Sequence, residues 1–164
     1  MSRIRLTALF LLVALLFGLS SCSDDDAIPP TEYYPHHCEL ALPLPYTYAE
    51  MKSDTFDAAF TDGVAVVGMI RISFSASVAG GIPTTLSPRQ YAEYYMLLSE
   101  RECEIVTEGD VPYYTYEENG YFYTMTFYRS QYAYFTVMYS CASEKREAYE
   151  SNFIKYATGA YFTA

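Results

Sequence analysis

The chain of 164 residues is acidic and rich in tyrosine: it has 10 Lys and Arg residues against 20 Asp and Glu, a formal net charge of −10, 19 tyrosines and no tryptophan. This length suffices for one domain with its own hydrophobic core and is too short for two. The negative charge is the opposite of what a groove that follows nucleic-acid phosphates needs, so we expect no nucleic-acid partner.

The first 21 residues have the pattern of a secretory signal peptide. Arg3 and Arg5 form a basic start, and an almost unbroken apolar run extends from Leu6 to Leu19. This run is shorter than the roughly 20 residues that a bilayer-spanning helix needs. The sequence therefore predicts a signal peptide over residues 1–21 rather than an anchoring helix.

A cysteine motif follows directly on the apolar run. Leu19-Ser20-Ser21-Cys22 resembles the lipobox of bacterial lipoproteins. The resemblance implies that the Cys22 thiol receives a diacylglyceryl group and becomes the first residue after cleavage. Under the alternative interpretation, Cys22 is an ordinary thiol behind an ordinary secretory signal.

The residues after Cys22 bear on the destination of the protein. Ser23 at this position is similar to the sorting pattern of outer-membrane lipoproteins, and Asp24-Asp25-Asp26 is similar to the export tag of surface-exposed lipoproteins in the Bacteroidetes group. An equally simple interpretation of the acidic run is a solvated tether. We expect an outer-membrane lipoprotein and leave open whether it faces the periplasm or the cell surface.

Residues 22–35 should form an extended tether, because they combine the acidic run with prolines. Loss of Arg3 and Arg5 with the signal leaves eight basic residues against 20 acidic ones, a net charge of −12. Anionic headgroups would repel such a surface, so the N-terminal lipid must hold the protein at the membrane. The domain is predicted over residues 36–164.

The cysteines and histidines are side chains that could ligate a metal, and their positions in the sequence predict no metal site. If Cys22 is acylated, Cys38, Cys103 and Cys141 remain, which allows at most one intramolecular disulfide whose pairing stays open. His36 and His37 are adjacent to Cys38, and neighbouring side chains on an extended chain point to opposite sides. We expect no metal, no cofactor and no catalytic cysteine.

The first half of the domain should be strand-rich. Cys38–Leu42 is predicted as a short strand, the range Tyr46–Asp62 as a loop that could contain a short helix, and Val64–Ser75 as a central strand or two strands joined at Gly68. Arg71 is the only charge in the central strand. It is either paired with a carboxylate of the protein or clamps the carboxylate of a ligand.

The strongest helix signal begins at Ser87. Ser87 suits the N-cap, Pro88 the first helical position and Gln90 the capping box, so a helix is predicted over residues 88–102. Its apolar stripe consists of Tyr91, Tyr94, Tyr95 and Leu98. A stripe of this kind is typical of a helix that lies on a sheet.

An aromatic meander should follow. A brief strand is expected over Glu104–Thr107, and the segments Tyr113–Tyr116, Tyr121–Arg129 and Tyr132–Ser140 are separated by short turns that suit hairpins. Both faces of the middle strand are too aromatic for free exposure, so helices should cover one or both of them. Arg129 lies at the end of this strand. Together with Arg71, it is a candidate ligand-binding residue.

One cover is the last helix, predicted over residues 144–158 with Ser143 as its cap and Gly159 as its end. Its buried stripe should consist of Tyr149, Phe153, Tyr156 and Ala157. Tyr161 and Phe162 would then dock at the edge of the domain.

The order of these elements resembles the PsbP-like α/β/α sandwich. The resemblance covers most of residues 38–162 and lies in the element order and in the closing pattern from Phe153-Ile154-Lys155-Tyr156 to Phe162. It implies an α+β fold with a mainly antiparallel sheet and a non-enzymatic accessory or binding role. It assigns no functional residue to any position of this chain.

The motifs typical of hydrolases, phosphate-binding enzymes and metalloproteases are missing from the sequence, so they name no candidate catalytic residue. The sequence has no Gly-x-Ser-x-Gly elbow, no phosphate-binding glycine loop and no His-Glu-x-x-His pattern. Glu93, Glu100 and Glu102 lie on the polar side of a predicted helix rather than in a glycosidase-like pair. We expect no catalytic residues.

The expected function is that of a non-enzymatic binding or accessory module with an envelope partner. The first alternative is glycan capture, because aromatic rings stack on sugars; it requires an exposed flat row of three or more rings between Tyr113 and Tyr134. The second is an envelope hydrolase, which requires a polar pocket where Arg71 or Arg129 meets a carboxylate of shifted pKa.

Overall fold

The computed structural model of the protein describes residues 39–163. The strands are β1 (Leu40–Ala41), β2 (Ala49–Glu50), β3 (Ala58–Thr61), β4 (Val66–Ser73), β5 (Val106–Glu108), β6 (Val111–Glu118), β7 (Tyr121–Arg129), β8 (Ala133–Ala142) and β9 (Tyr161–Phe162). The α-helices are α1 (Phe74–Ala79), α2 (Pro88–Leu98) and α3 (Arg146–Thr158), and a 3-10 turn (Ser143–Lys145) precedes α3.

Seven strands form one antiparallel sheet in the order β2-β3-β4-β8-β7-β6-β5, and β1 pairs with β9 in a separate two-stranded ladder. The expected α+β class with a mainly antiparallel sheet is confirmed. The strands β6, β7 and β8 follow one another in the sheet as they do along the chain. The turn between β6 and β7 is tight because Asn119 and Gly120 both have positive φ, 52° and 80°.

Strand β8 lies at the centre of the sheet and is buried except at its last residue, Ala142. Its side chains alternate between two cores, as the period of two in a strand requires. Phe135 and Val137 belong to the core on one face, and Tyr134 and Met138 belong to the core on the other. Both faces of the sheet are therefore covered.

Helix α3 covers the first face. Phe153 and Ala157 are its buried residues, and Tyr149 and Tyr156 pack partly buried beside them, so the predicted stripe is confirmed. Leu40, Leu42 and Leu44 from the start of the described chain complete this core. The helix ends at Thr158 with Gly159 as its C-cap, as predicted.

Helix α2 covers the second face. The ring of Tyr91 is stacked on Tyr134 with centroids 4.3 Å apart at 15°, and it meets Phe127 edge-on at 5.8 Å and 83°. The predicted stripe needs one correction, because Ala92 is buried here whereas Leu98 is 54% exposed. Leu98 is the last residue of the helix.

The start of α2 agrees with the prediction, and its end does not. The capping box of Ser87 and Gln90 is present, with Pro88 in the first turn. The helix stops at Leu98, not at residue 102, because Glu100 has a φ of +54° and the N–H of Arg101 donates to the carbonyl of Met96. A left-handed residue other than glycine leaves no composition signal for this stop.

The first half of the domain departs most from the prediction. The range Tyr46–Asp62 contains strands β2 and β3 rather than a loop with a short helix, and the expected strand over Val64–Ser75 is the single strand β4. Residues from Phe74 onward form helix α1, whose N-cap Ser73 accepts the N–H of Ala76. The strand expected over Cys38–Leu42 is reduced to β1, and Cys38 itself lies outside the described residues.

Two other boundaries are also corrected. Helix α3 begins at Arg146 after the 3-10 turn rather than at residue 144, and Lys145, in its cap position, makes no side-chain capping bond. Tyr132 lies in the turn before β8 rather than in the strand. Tyr161 and Phe162 form β9, whose pairing with β1 places the end of the described chain beside its start.

Candidate functional site

Arg71 makes an ion pair within the protein. Its guanidinium lies 3.3 Å from the carboxylate of Glu39, and both side chains are about one-third exposed. The backbone N–H of the same residue donates to the Asp57 carboxylate at 2.6 Å. Of the two interpretations of Arg71, pairing with a carboxylate of the chain is the one observed.

Arg129, unlike Arg71, makes no ion pair with a described carboxylate. It is the exposed last residue of β7, and its Nη2 donates to the carbonyl oxygen of Thr84 at 3.1 Å. Its guanidinium carbon lies 5.2 Å from the centre of the Phe74 ring. Within residues 39–163 no carboxylate lies within 4.0 Å of this guanidinium.

An open cavity of about 540 Å³ lies beside Arg129, and we call it the Arg129 cleft. This volume is in the range of small-molecule sites. The cleft is lined by Glu39, Arg129, Ser130, Gln131, Tyr132, Phe162 and Thr163. Three parts of the fold therefore meet here: the start of the described chain, the turn from β7 to β8, and the end of β9.

Ser130 organises the turn at the cleft. Its hydroxyl oxygen accepts the N–H groups of Tyr132 and Ala133, both at 3.1 Å, and its proton is donated to Glu39 at 2.9 Å. Glu39 is therefore held by Ser130 and by Arg71 at once. The rings of Tyr132 and Phe162 remain 66% and 41% exposed beside it.

Of the two candidate residues, Arg129 lines the cleft and Arg71 does not, and the other lining residues were not expected from the sequence. Glu39 and Ser130 are 91 positions apart, so no local pattern could have joined them. Phe162 was expected at an edge of the domain, which is correct. Tyr132 was assigned to a strand, although the Ser130-Gln131 pair before it is a turn signal that could have been extended by one residue.

The aromatic face of the meander was the expected glycan platform. Tyr114 and Phe127 are buried under α2. The half-buried ring of Tyr116 is stacked on Tyr123 at 4.7 Å and 14°, and the guanidinium of Arg101 lies 3.8 Å from its centre. A ring and a guanidinium at these distances occupy opposite faces of Tyr116, so this ring has no free face for a sugar.

The two described cysteines are both free thiols, so Cys103 and Cys141 are not paired with each other. Burial, with smaller contributions from Asp62, Glu117 and Glu150, raises the pKa of the Cys141 thiol to about 11. This thiol is therefore protonated at neutral pH and is a poor nucleophile. Cys22 and the segment His36-His37-Cys38 lie outside the described residues.

Residues 39–163 contain no group of three metal-ligating side chains. The hydrolase hypothesis required a carboxylate of shifted pKa beside Arg71 or Arg129. Hydrogen bonds from Arg146 hold the pKa of the Glu117 carboxyl below its ordinary value, and this carboxyl is on the surface rather than in the Arg129 cleft.

Comparisons with known proteins bear on the fold. No protein-family profile matches the sequence, and no curated protein matches it. The chain is similar to the solution structure of cyanobacterial PsbP (CyanoP) from Synechocystis sp. PCC 6803, with a TM-score of 0.53 and 14% sequence identity. The match covers 88% of this chain and 99% of that one.

No α-helix in the described part of the chain has both the length and the apolar character needed to cross a bilayer. At 14% identity, the likeness to CyanoP concerns the fold alone. The seven-stranded antiparallel sheet, covered on both faces by helices, thus has a PsbP-like arrangement.

Proposed function

We propose that this protein is a lipid-anchored binding or accessory module of the bacterial outer membrane, without catalytic activity. The proposal combines the lipobox at Cys22 with the domain predicted over residues 36–164. Residues 22–35 would form the tether between them, and 14 residues of extended chain reach at most about 50 Å. The domain would work within that distance of the membrane surface.

One observation carries the binding part of the proposal. The Arg129 cleft lies at the point where the described chain begins, since Glu39 is one of its lining residues. A partner in the cleft would therefore be bound at the end of the domain to which the tether is joined. This arrangement suits a module that presents or holds a partner close to the membrane.

The experiment for anchoring compares Cys22→Ala with the matched variant Cys38→Ala, which replaces another cysteine of the same N-terminal region. We expect the Cys22→Ala protein to be lost from the outer-membrane fraction and to lack the mass of the acyl groups in mass spectrometry. The Cys38→Ala protein should retain both. A Cys22→Ala protein that stays in the outer membrane, or a wild-type protein with a mature terminus elsewhere, would overturn the proposal.

A further inference from the structure

We propose that the Arg129 cleft is occupied by a segment of the chain itself, Tyr33-Tyr34-Pro35. This segment precedes Glu39, the first described residue, and lies outside the described range. The inference goes beyond the proposed function, because it assigns the cleft an occupant within the protein. It rests on where the preceding chain joins the cleft, on how far that chain reaches and on the apolar character of both partners.

Glu39 is bound to the cleft through its backbone and through its side chain. Its carbonyl oxygen accepts the N–H of Thr163 at 2.7 Å and the hydroxyl of Thr163 at 3.2 Å. Its carboxylate accepts the hydroxyl of Ser130 at 2.9 Å. All three residues line the cleft. Because the Cα atoms of neighbouring residues are about 3.8 Å apart, the chain that precedes Glu39 starts at the cleft.

The segment is close enough to reach all sides of the cleft. Extended chain spans at most about 3.6 Å per residue, so Pro35 and Tyr33 can lie up to about 14 Å and about 22 Å from Glu39. The cleft has a volume of about 540 Å³, which corresponds to a sphere about 10 Å across, less than this reach. Residues 33–35 can therefore contact the lining that faces Glu39.

The cleft offers exposed aromatic residues as walls. Phe162 is 41% exposed, and Phe135 supports its ring with the ring centres 5.6 Å apart. Tyr132, another lining residue, is 66% exposed. Aromatic residues that line an open cavity of this size favour an occupant with apolar groups.

The segment Tyr33-Tyr34-Pro35 has matching chemistry, because it consists of two aromatic residues and a proline. A residue before proline is restricted to extended conformations, so Tyr34 has less conformational freedom to lose on docking. Peptides that contain proline bind aromatic grooves for this reason. The segment has no charge, and Glu39, the acidic residue of the lining, is already paired with Arg71.

The covalent connection makes a weak contact sufficient. A segment that is joined to its site by a few residues has an effective concentration on the order of millimolar at that site. An external partner would bind the cleft only by displacing this segment. Docking would also shorten the free tether from residues 22–35 to residues 22–32, that is from at most about 50 Å to at most about 40 Å.

The test is solution NMR spectroscopy of residues 22–164 with Cys22→Ala, a chain that lacks only the predicted signal peptide and carries no lipid. We expect nuclear Overhauser contacts between the ring protons of Phe162 and the protons of residues 33–35. We also expect higher heteronuclear {1H}-15N Overhauser values for residues 33–34 than for residues 24–28, because docking restricts the motion of the backbone.

Variants of the segment assign these signals. The double variant Tyr33→Ala/Tyr34→Ala should shift the amide resonances of Gln131 and Thr163, which line the cleft. The matched control is Ile28→Ala, which removes an apolar side chain from the same N-terminal region and should leave both resonances unchanged.

Variants of the cleft provide the reciprocal test. Phe162→Ala should lower the heteronuclear Overhauser values of residues 33–34 to those of residues 24–28. Because Phe162 belongs to the ladder of β1 and β9, Tyr132→Ala is the second variant, which leaves that ladder in place. It should lower the same values as well.

Three results would overturn the inference: no contact between residues 33–35 and Phe162, lining resonances that do not respond to Tyr33→Ala/Tyr34→Ala, or an equal response to Ile28→Ala. Lining resonances that change with protein concentration and not with the double variant would show a second copy in the cleft and would also overturn it.

These outcomes are independent of the anchoring experiment, because the NMR sample carries no lipid. A segment that docks in a protein that is not acylated would contradict the proposed anchoring and leave this inference standing. An acylated protein whose segment does not dock would do the reverse.

Discussion

The hydroxyl of Ser130 donates to the carboxylate of Glu39 at 2.9 Å, which ties the turn between β7 and β8 to the first residue of the described chain. Arg71 on β4 holds the same carboxylate at 3.3 Å. One acidic side chain thus connects three segments that lie apart in sequence. This connection forms one wall of the Arg129 cleft.

Ser130→Ala should destabilise the protein by about 1 kcal/mol. The backbone N–H groups of Tyr132 and Ala133 donate to the Ser130 hydroxyl oxygen, and the substitution removes this acceptor. Urea unfolding followed by circular dichroism measures this change. Gln131→Ala, one position along in the same turn, is the control and should leave the free energy of unfolding within about 0.5 kcal/mol of wild type. Equal losses in the two variants would show that the Ser130 bonds do not hold the turn.

Gly68→Ala should destabilise the protein by about 1–3 kcal/mol through overpacking. A Cβ atom at Gly68 would lie 2.6 Å from the ring of Phe56, which covers β4 at this point. The cost depends on that ring, so Gly68→Ala should cost much less in a Phe56→Ala background. A double-mutant cycle of unfolding free energies measures the difference, and an equal cost in both backgrounds would contradict this explanation.

Tyr134→Phe should cost about 1–2 kcal/mol of stability. The buried hydroxyl donates to the carbonyl of Pro83 at 2.8 Å and accepts the N–H of Leu86 at 3.0 Å, so it fixes the loop that leads into α2. Tyr132→Phe is the matched control, because it removes a hydroxyl from a ring that is 66% exposed. Chemical denaturation measures the free energy of unfolding of both variants. If Tyr132→Phe lost as much stability as Tyr134→Phe, the buried hydroxyl would not have this role.

Stability should fall as the pH rises from about 9 to about 11, in part because of Cys141. Burial raises the pKa of this thiol from 9.0 to about 11, so the unfolded chain loses the proton at lower pH than the folded one. Below pH 9 both states keep the proton and the contribution is complete; it is lost as the pH rises through the folded pKa.

The measurement for Cys141 is the unfolding free energy between pH 8 and 10.5. Cys141→Ala should show a smaller decline over this interval than wild type, although its stability at pH 8 will be lower because a buried side chain is shortened. Cys103→Ala is the control for loss of a thiol. The explanation would be wrong if Cys141→Ala and wild type declined in parallel.

Local sequence patterns were sufficient where the interactions that make an element are themselves local. The capping box of α2 joins Ser87 to Gln90 across three residues, and the turn at Asn119-Gly120 depends on the backbone freedom of two adjacent residues. The aromatic composition of the middle strand predicted cover on one or both faces, and the structure has a buried core on each face. Such features need no knowledge of distant parts of the chain.

Elements that depend on pairing or packing partners were missed. Strands β2 and β3 are short and lack alternation, and they are strands because β3 pairs with β4. Helix α1 continues the apolar composition of β4, so composition does not separate the two elements. Tertiary contacts do: the Phe74 ring packs on Tyr134 with ring centres 5.1 Å apart, and the backbone N–H of Phe74 donates to the carbonyl of Tyr132. Neither partner is visible in the local sequence.

The sequence by itself determined the acidic charge, the signal and lipobox pattern, the α+β class and the candidate status of Arg71 and Arg129. Only the tertiary structure separated these two arginines, because pairing with Glu39 depends on how chain segments 32 residues apart meet. The cleft was likewise decided by tertiary contacts, since Glu39, the Ser130 turn and Phe162 come from three distant parts of the chain. Periodic patterns describe the state of a segment, whereas a binding site depends on which segments become neighbours.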